Sequence, residues 1–235
     1  MPLLDAQRSI LVMIDFQGKL VHLVHRPALV LETAHRLLRL ADLFAVPVVL
    51  TEQYPKGIGP TEASLRAAFD GLSVPTFFLE KTAFGCCGDA GFEELLQQAR
   101  PGLAPARRQI VVAGIEAHVC VMQTVLELLA SGHEVHLCWE AVSGRGEEYR
   151  RHALDRMAAA GATLTNHESV AFEWARDKNH PQFKALSALL KEGQHHREAG
   201  NGLVQNRIGR RRLWSLPVPV SVAGLGLRSR RLRTT

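Results

Sequence analysis

Apolar positions along the chain follow two alternating rhythms. Runs such as Ile10-Leu11-Val12-Met13-Ile14 and Ile110-Val111-Val112-Ala113 are apolar throughout, as parallel strands covered on both faces are. Between such runs lie longer stretches in which apolar residues return every three or four places. Leu29, Leu37, Leu38 and Leu40 among Glu32, His35, Arg36 and Arg39 make one such stripe, the mark of a helix with one buried face. The pattern predicts strands at 9–16, 47–53, 76–81, 109–115, 134–140 and 162–167, and helices at 28–44, 62–68, 91–100, 119–130, 147–160 and 181–192. Gly132 and Gly161 stand where helices should stop and strands begin. Strand–helix–strand units repeated from residue 8 to about 192 imply an α/β fold. It would be a three-layer αβα sandwich, with a mainly parallel six-stranded sheet between two helical layers.

Composition changes little: 46% hydrophobic and 22% charged residues are ordinary for a globular protein. No apolar run approaches the ~20 residues of a membrane-spanning helix, so no membrane contact is expected. The start Met1-Pro2-Leu3-Leu4-Asp5 has no basic segment followed by an apolar one, so no secretory signal is expected. The four cysteines, Cys86, Cys87, Cys120 and Cys138, have neither metal-ligand spacing nor the density of a disulfide scaffold. Reduced thiols and a cytoplasmic location follow as the expectation. Charge is more informative once divided. From His195 onward stand nine arginines and one acid, which leaves 19 basic against 22 acidic residues in 1–194, a net of −3 within a whole-chain net of +5. The expected organisation is therefore one domain over 1–194 and an Arg- and Gly-rich extension over 195–235, read as disordered. A mildly acidic body lacks the footprint of a nucleic-acid binder. Any argument for RNA rests on Arg210-Arg211-Arg212 and Arg230-Arg231.

In an open parallel sheet reactive groups gather beyond the carboxyl ends of the strands. Those ends read Asp15-Phe16-Gln17, Thr51-Glu52-Gln53, Glu80-Lys81-Thr82 and Gly114-Ile115-Glu116-Ala117-His118-Val119-Cys120. A carboxylate, an amine and a thiol thus project toward one edge. Cys120 falls in the first turn of a helix, where backbone N–H groups favour a thiolate and Lys81 would favour it further. Plainer roles stay open for each. Cys120 can be a small buried hydrophobe, Asp15 a turn cap and Lys81 a solvated strand end. Cys86 and Cys87 are rival thiols close to Lys81, though without a helix start directly behind them. The eleven histidines show no ligand spacing, and packing or surface roles are expected for them.

At these segments the chain resembles the isochorismatase-like cysteine hydrolases, a Rossmann-like superfamily. Ile14-Asp15-Phe16-Gln17, Glu80-Lys81-Thr82-Ala83-Phe84 and Gly114 to Cys120 look like its three motifs. Thr51-Glu52-Gln53-Tyr54-Pro55-Lys56-Gly57, Gly59-Pro60-Thr61 and His180-Pro181-Gln182-Phe183-Lys184 are similar to the subgroup of isochorismatase domain-containing proteins, relatives of the mitochondrial-associated isochorismatase-like proteins. The likeness spans about residues 8–192. It implies that Cys120 attacks a carbonyl carbon, that Asp15 handles the proton, and that Lys81 keeps Asp15 charged and steadies developing negative charge. It also implies a cis peptide bond at Ile115–Glu116, with the backbone N–H groups of Glu116 and Cys120 facing the oxyanion. Gln17, Gln53 and Phe84 would contact the substrate, and the segment 54–60 would loop over the pocket. Two departures redirect the substrate. Strand end Thr51-Glu52-Gln53 lacks the Asp-x-His of the metal-bearing nicotinamidases, so no metal and no cofactor are expected. Classical isochorismatases lack the cysteine that this chain carries. The implied function is metal-independent hydrolysis of a small amide or carbamoyl compound through a thioester, by a homo-oligomer. A non-catalytic scaffold and an RNA-binding or ribonuclease-like protein are the alternatives.

Overall fold

The computed structural model describes residues 2–192; the extension expected over 195–235 lies outside them. Strands β1 (Ser9–Ile14), β2 (Val48–Gln53), β3 (Thr76–Lys81), β4 (Gln109–Ile115), β5 (Glu134–Ser143) and β6 (Thr163–Thr165) form one sheet in the order β3-β2-β1-β4-β5-β6. Every neighbouring pair runs parallel. Among the described residues, eight α-helices accompany them: α1 (Pro27–Leu43), α2 (Pro55–Ile58), α3 (Ala63–Asp70), α4 (Ala90–Ala99), α5 (Met122–Ala130), α6 (Glu147–Ala159), α7 (His167–Ala175) and α8 (Phe183–Lys191).

Because side chains alternate along a strand, β1 feeds two cores. Leu11 and Met13 join α1, α7 and α8 on one face, while Ile10, Val12 and Ile14 join α4, α5 and α6 on the other. Both faces of the central strands are covered, which is why their sequences are apolar without interruption. The chain builds outward through β1, β2 and β3, then returns to place β4 against the other side of β1. Ligands in such sheets collect at this reversal. There β1 and β4 pair Ile14 with Gly114, and a Cβ on Gly114 would lie 2.6 Å from both the Cβ and the carbonyl oxygen of Ile14. Only glycine allows the two strand ends that carry the candidate residues to lie so close.

Three elements depart from the expected pattern. α7 falls partly in what reads as a strand over 162–167, and β6 shrinks to Thr163–Thr165. The helical signal was available: His167, Val170, Ala171, Trp174 and Ala175 are buried at helical spacing, and Asn166 caps the helix by accepting from the Ser169 N–H at 2.8 Å. β5 runs on to Ser143 through a register shift against β4. The segment expected as a loop over the pocket contains the single turn α2.

Candidate active site

Asp15 leaves β1 in the left-handed region, φ 54°, and its N–H still bonds the carbonyl of Thr51 at 3.2 Å. Its carboxylate is held from two sides. Thr51 Oγ1 donates to Oδ1 at 2.6 Å and Lys81 Nζ to Oδ2 at 2.7 Å. The ion pair is buried, with Lys81 0% and Asp15 4% exposed at the side chain, so Lys81 is no solvated strand end. A buried pair persists only where its remaining hydrogen-bonding capacity is met. Lys81 Nζ also reaches Gln53 Oε1 at 2.9 Å and the carbonyls of Phe84 and Ala83 at 3.0 and 3.3 Å. Three ammonium protons thus face four acceptors.

Cys120 sits in the π-helical turn Ala117–Val121 that leads into α5, 7% exposed. It lines a cavity of about 100 Å³ together with Asp15, Gln17, Gln53 and Phe84. Asp15, Lys81 and Cys120 therefore converge. The thiolate expected at a helix start beside an ammonium is corrected, however. Burial pushes the Cys120 thiol up, the charge of Asp15 and a hydrogen bond to it push the same way, and Lys81 pulls back only in part. The ammonium is already matched by the carboxylate, so the resting sulfur keeps its proton. Of the rival thiols, Cys86 is wholly buried beneath the site and pushed up by burial to about 11, its N–H donating to Thr124 Oγ1 at 2.9 Å. Cys87 is pushed up by burial to about 12, and neither is among the residues lining the cavity.

Gln17 borders the cavity with its amide committed elsewhere, and Gln53 with its Oε1 and one Nε2 proton engaged. Gln17 Oε1 accepts from Gln53 N–H at 2.5 Å, and its Nε2 donates to the carbonyls of Gln53 and Gly59 at 3.1 and 2.7 Å. Gln53 Nε2 donates to Thr82 O at 2.7 Å. These side chains brace the strand ends to the 54–60 segment. The Ile115–Glu116 peptide bond is cis. The Glu116 carboxylate accepts from Arg145 Nε and Nη2 at 3.0 and 2.7 Å and from its backbone N–H at 3.2 Å. That guanidinium holds the Glu116 carboxyl below its usual range. Sequence reasoning did not single out Thr51 or Arg145. Thr51 lies within a strand-end triplet already under scrutiny. Arg145 stands between two glycines just past β5, a weak signal that only its contact with Glu116 makes meaningful. Among the described residues, no group of three or more His, Cys, Asp or Glu could hold a metal ion.

The isochorismatase domain matches residues 9–169. Isochorismatase domain-containing protein 2 of Macaca fascicularis is 40% identical over 184 residues, 78% of this chain and 83% of that protein. Among solved structures, the MAR1 ribonuclease of Caenorhabditis elegans aligns with a TM-score of 0.71 at 32% identity, covering 80% of this chain and 92% of that one. YcaC from Pseudomonas aeruginosa, solved with hexane-2,5-diol and covalent acrylamide, aligns at 0.70 and 25% identity, covering 87% and 96%.

Proposed function

Since the chain belongs to the isochorismatase family, we propose that it is a metal-independent cysteine hydrolase cleaving a C–N bond of a small amide or carbamoyl compound. The observation that carries this reading is the Asp15 carboxylate, gripped by Thr51 and Lys81, bordering one cavity with the Cys120 sulfur. As Sγ bonds the carbonyl carbon, Asp15 takes the thiol proton, so a thiol with a raised pKa need not ionise beforehand. The backbone N–H groups of Glu116 and Cys120 receive the oxyanion. Collapse breaks the C–N bond, and the leaving nitrogen takes the proton from Asp15. Water, deprotonated by Asp15, then attacks the thioester; the S–C bond breaks and the sulfur regains a proton. The balance is amide plus water to acid plus amine. Covalent acrylamide in a YcaC relative supports the reading, because acrylamide captures nucleophiles. Freedom from metal rests on the Thr51-Glu52-Gln53 strand end, which lacks the Asp-x-His pattern. Homo-oligomeric assembly in the cytoplasm belongs to the same proposal, on family likeness.

A broad screen of amides and esters, run on wild type and Cys120→Ala, tests it. Turnover that disappears in the variant is expected; equal residual activity in both would leave a non-catalytic scaffold. The likeness to MAR1 ribonuclease favours RNA as a second reading. A cavity of about 100 Å³ in a body of net charge −3 gives that reading little purchase.

A further inference from the structure

The cavity beside Cys120 has walls of Leu20, Ile58, Phe84, Ile115 and Val119. Two carboxylates, Asp15 and Glu116, are the ionic groups among its lining residues, and each is already paired, with Lys81 and with Arg145. Among the described residues, no lysine, arginine or histidine lines it. Lys81, paired with the lining residue Asp15, has all three protons engaged within the protein. Arg145 directs Nε and Nη2 to Glu116. Lys19 and Lys56 stand on the same segments as Leu20 and Ile58, but they are solvent-exposed and do not line the cavity. The Gln17 amide is likewise committed, and Gln53 gives one Nε2 proton to Thr82 O and its Oε1 to Lys81.

An anionic group entering this space would lose its hydration without meeting a free cation, beside two carboxylates whose partner cations are already taken. The small volume, about 100 Å³, suits a group of a few heavy atoms. Building on the reading of Cys120 as nucleophile, we infer that the site selects a short, uncharged, apolar acyl group and rejects acyl groups bearing a carboxylate or phosphate. Specificity then comes from shape and from the cost of desolvating charge. The isochorismate-type dicarboxylate is excluded on the same ground.

The inference is tested by alkylating the full-length protein with iodoacetamide and, separately, with iodoacetate, which carries a carboxylate in place of the amide. Modification at Cys120 is followed by mass mapping, with a neutral cysteine peptide as reference at the same pH. The neutral reagent should be favoured at Cys120 about tenfold or more beyond its preference at the peptide, because the charged one must shed its hydration. Ile58→Lys, which places a cation at the cavity mouth, should narrow that preference at least about threefold. Along a series of straight-chain primary amides, Cys120-dependent ammonia release should peak at about four carbons or fewer, given the cavity's size. A preference equal to the peptide's, no response to Ile58→Lys, or a maximum among longer chains overturns the inference while Cys120 remains a nucleophile. Inertness of Cys120 to both reagents across the whole alkylation pH profile, together with ammonia release unchanged by Cys120→Ala, is a different result: it removes the nucleophile itself, and the inference with it.

Discussion

At the residue scale, the chemistry of Cys120 is decided by its neighbours' neighbours. Alone, Lys81 would pull the thiol toward ionisation; bound to Asp15, it leaves the sulfur facing burial and a negative charge. Asp15→Asn should therefore act in opposite directions on two measurements. It lowers the Cys120 pKa, seen as a shift of the alkylation pH profile to lower pH, and it abolishes amide turnover by removing the proton acceptor. A profile shifted upward would contradict the account. The pair itself can be dissected by denaturant unfolding. Lys81→Met, which strands a buried carboxylate, is expected to cost about 3–5 kcal/mol. Adding Asp15→Leu should recover most of that loss, since apolar replacement of a whole buried pair is often neutral. Failure of the double variant to recover stability would mean that the four acceptors around Nζ, rather than the charge, hold the site together.

At the element scale, β5 carries a pH dependence unconnected with catalysis. Burial pushes the imidazole of His133, which immediately precedes β5, down from its ordinary value, with Glu93 pulling back. Burial likewise pushes His136 down, with Glu173 and Glu134 opposing. The unfolded chain takes up these protons near the ordinary histidine pKa of about 6.5, while the folded chain does so only at lower pH. Between the two values the unfolded state binds more protons, so stability falls as pH falls through that window. Urea midpoints measured from about pH 7 down to about pH 5 should decline. His136→Phe, replacing a ring whose Nε2 has no hydrogen-bond partner among the described residues, should flatten the slope. An unchanged slope would assign the decline to other groups. The same strand shows where pattern reading stops short. Its expected end falls at Glu140, where a charge interrupts the apolar run, yet pairing of Val142 with Gly114 and Ser143 with Ile115 carries it further. Strands 76–81 and 109–115 were legible to the residue, because turn-forming or charged residues bound a compact apolar stretch.

At the scale of the whole molecule, charge separates two reactions. The described body belongs to the portion of net charge −3, and the arginine-rich portion begins at His195. RNA retained by the full chain at low salt should be lost on deleting 195–235 and be untouched by Cys120→Ala, as a filter-binding titration across salt would show. RNA cleavage abolished by Cys120→Ala would place ribonuclease chemistry in the hydrolase site and overturn the small-amide reading. Among the described residues no helix is long and apolar enough to cross a membrane.

The sequence by itself determined the parallel α/β layering, because strand and helix periods are local and both core faces demand apolar residues. It also determined which strand ends carry a carboxylate, an amine and a thiol, since the topology delivers those ends to one edge. Only the tertiary structure decided their electrostatic state. Lys81 and Asp15, 66 positions apart in the chain, neutralise each other at 2.7 Å, and burial then keeps the proton on Cys120. Tertiary structure likewise decided that Gln17 and Gln53 brace the walls, leaving a cavity with mostly apolar walls and, among the described residues, without a free cation. Field, desolvation and hydrogen-bond commitment depend on distances between remote residues, and periodicity along a chain carries no record of them.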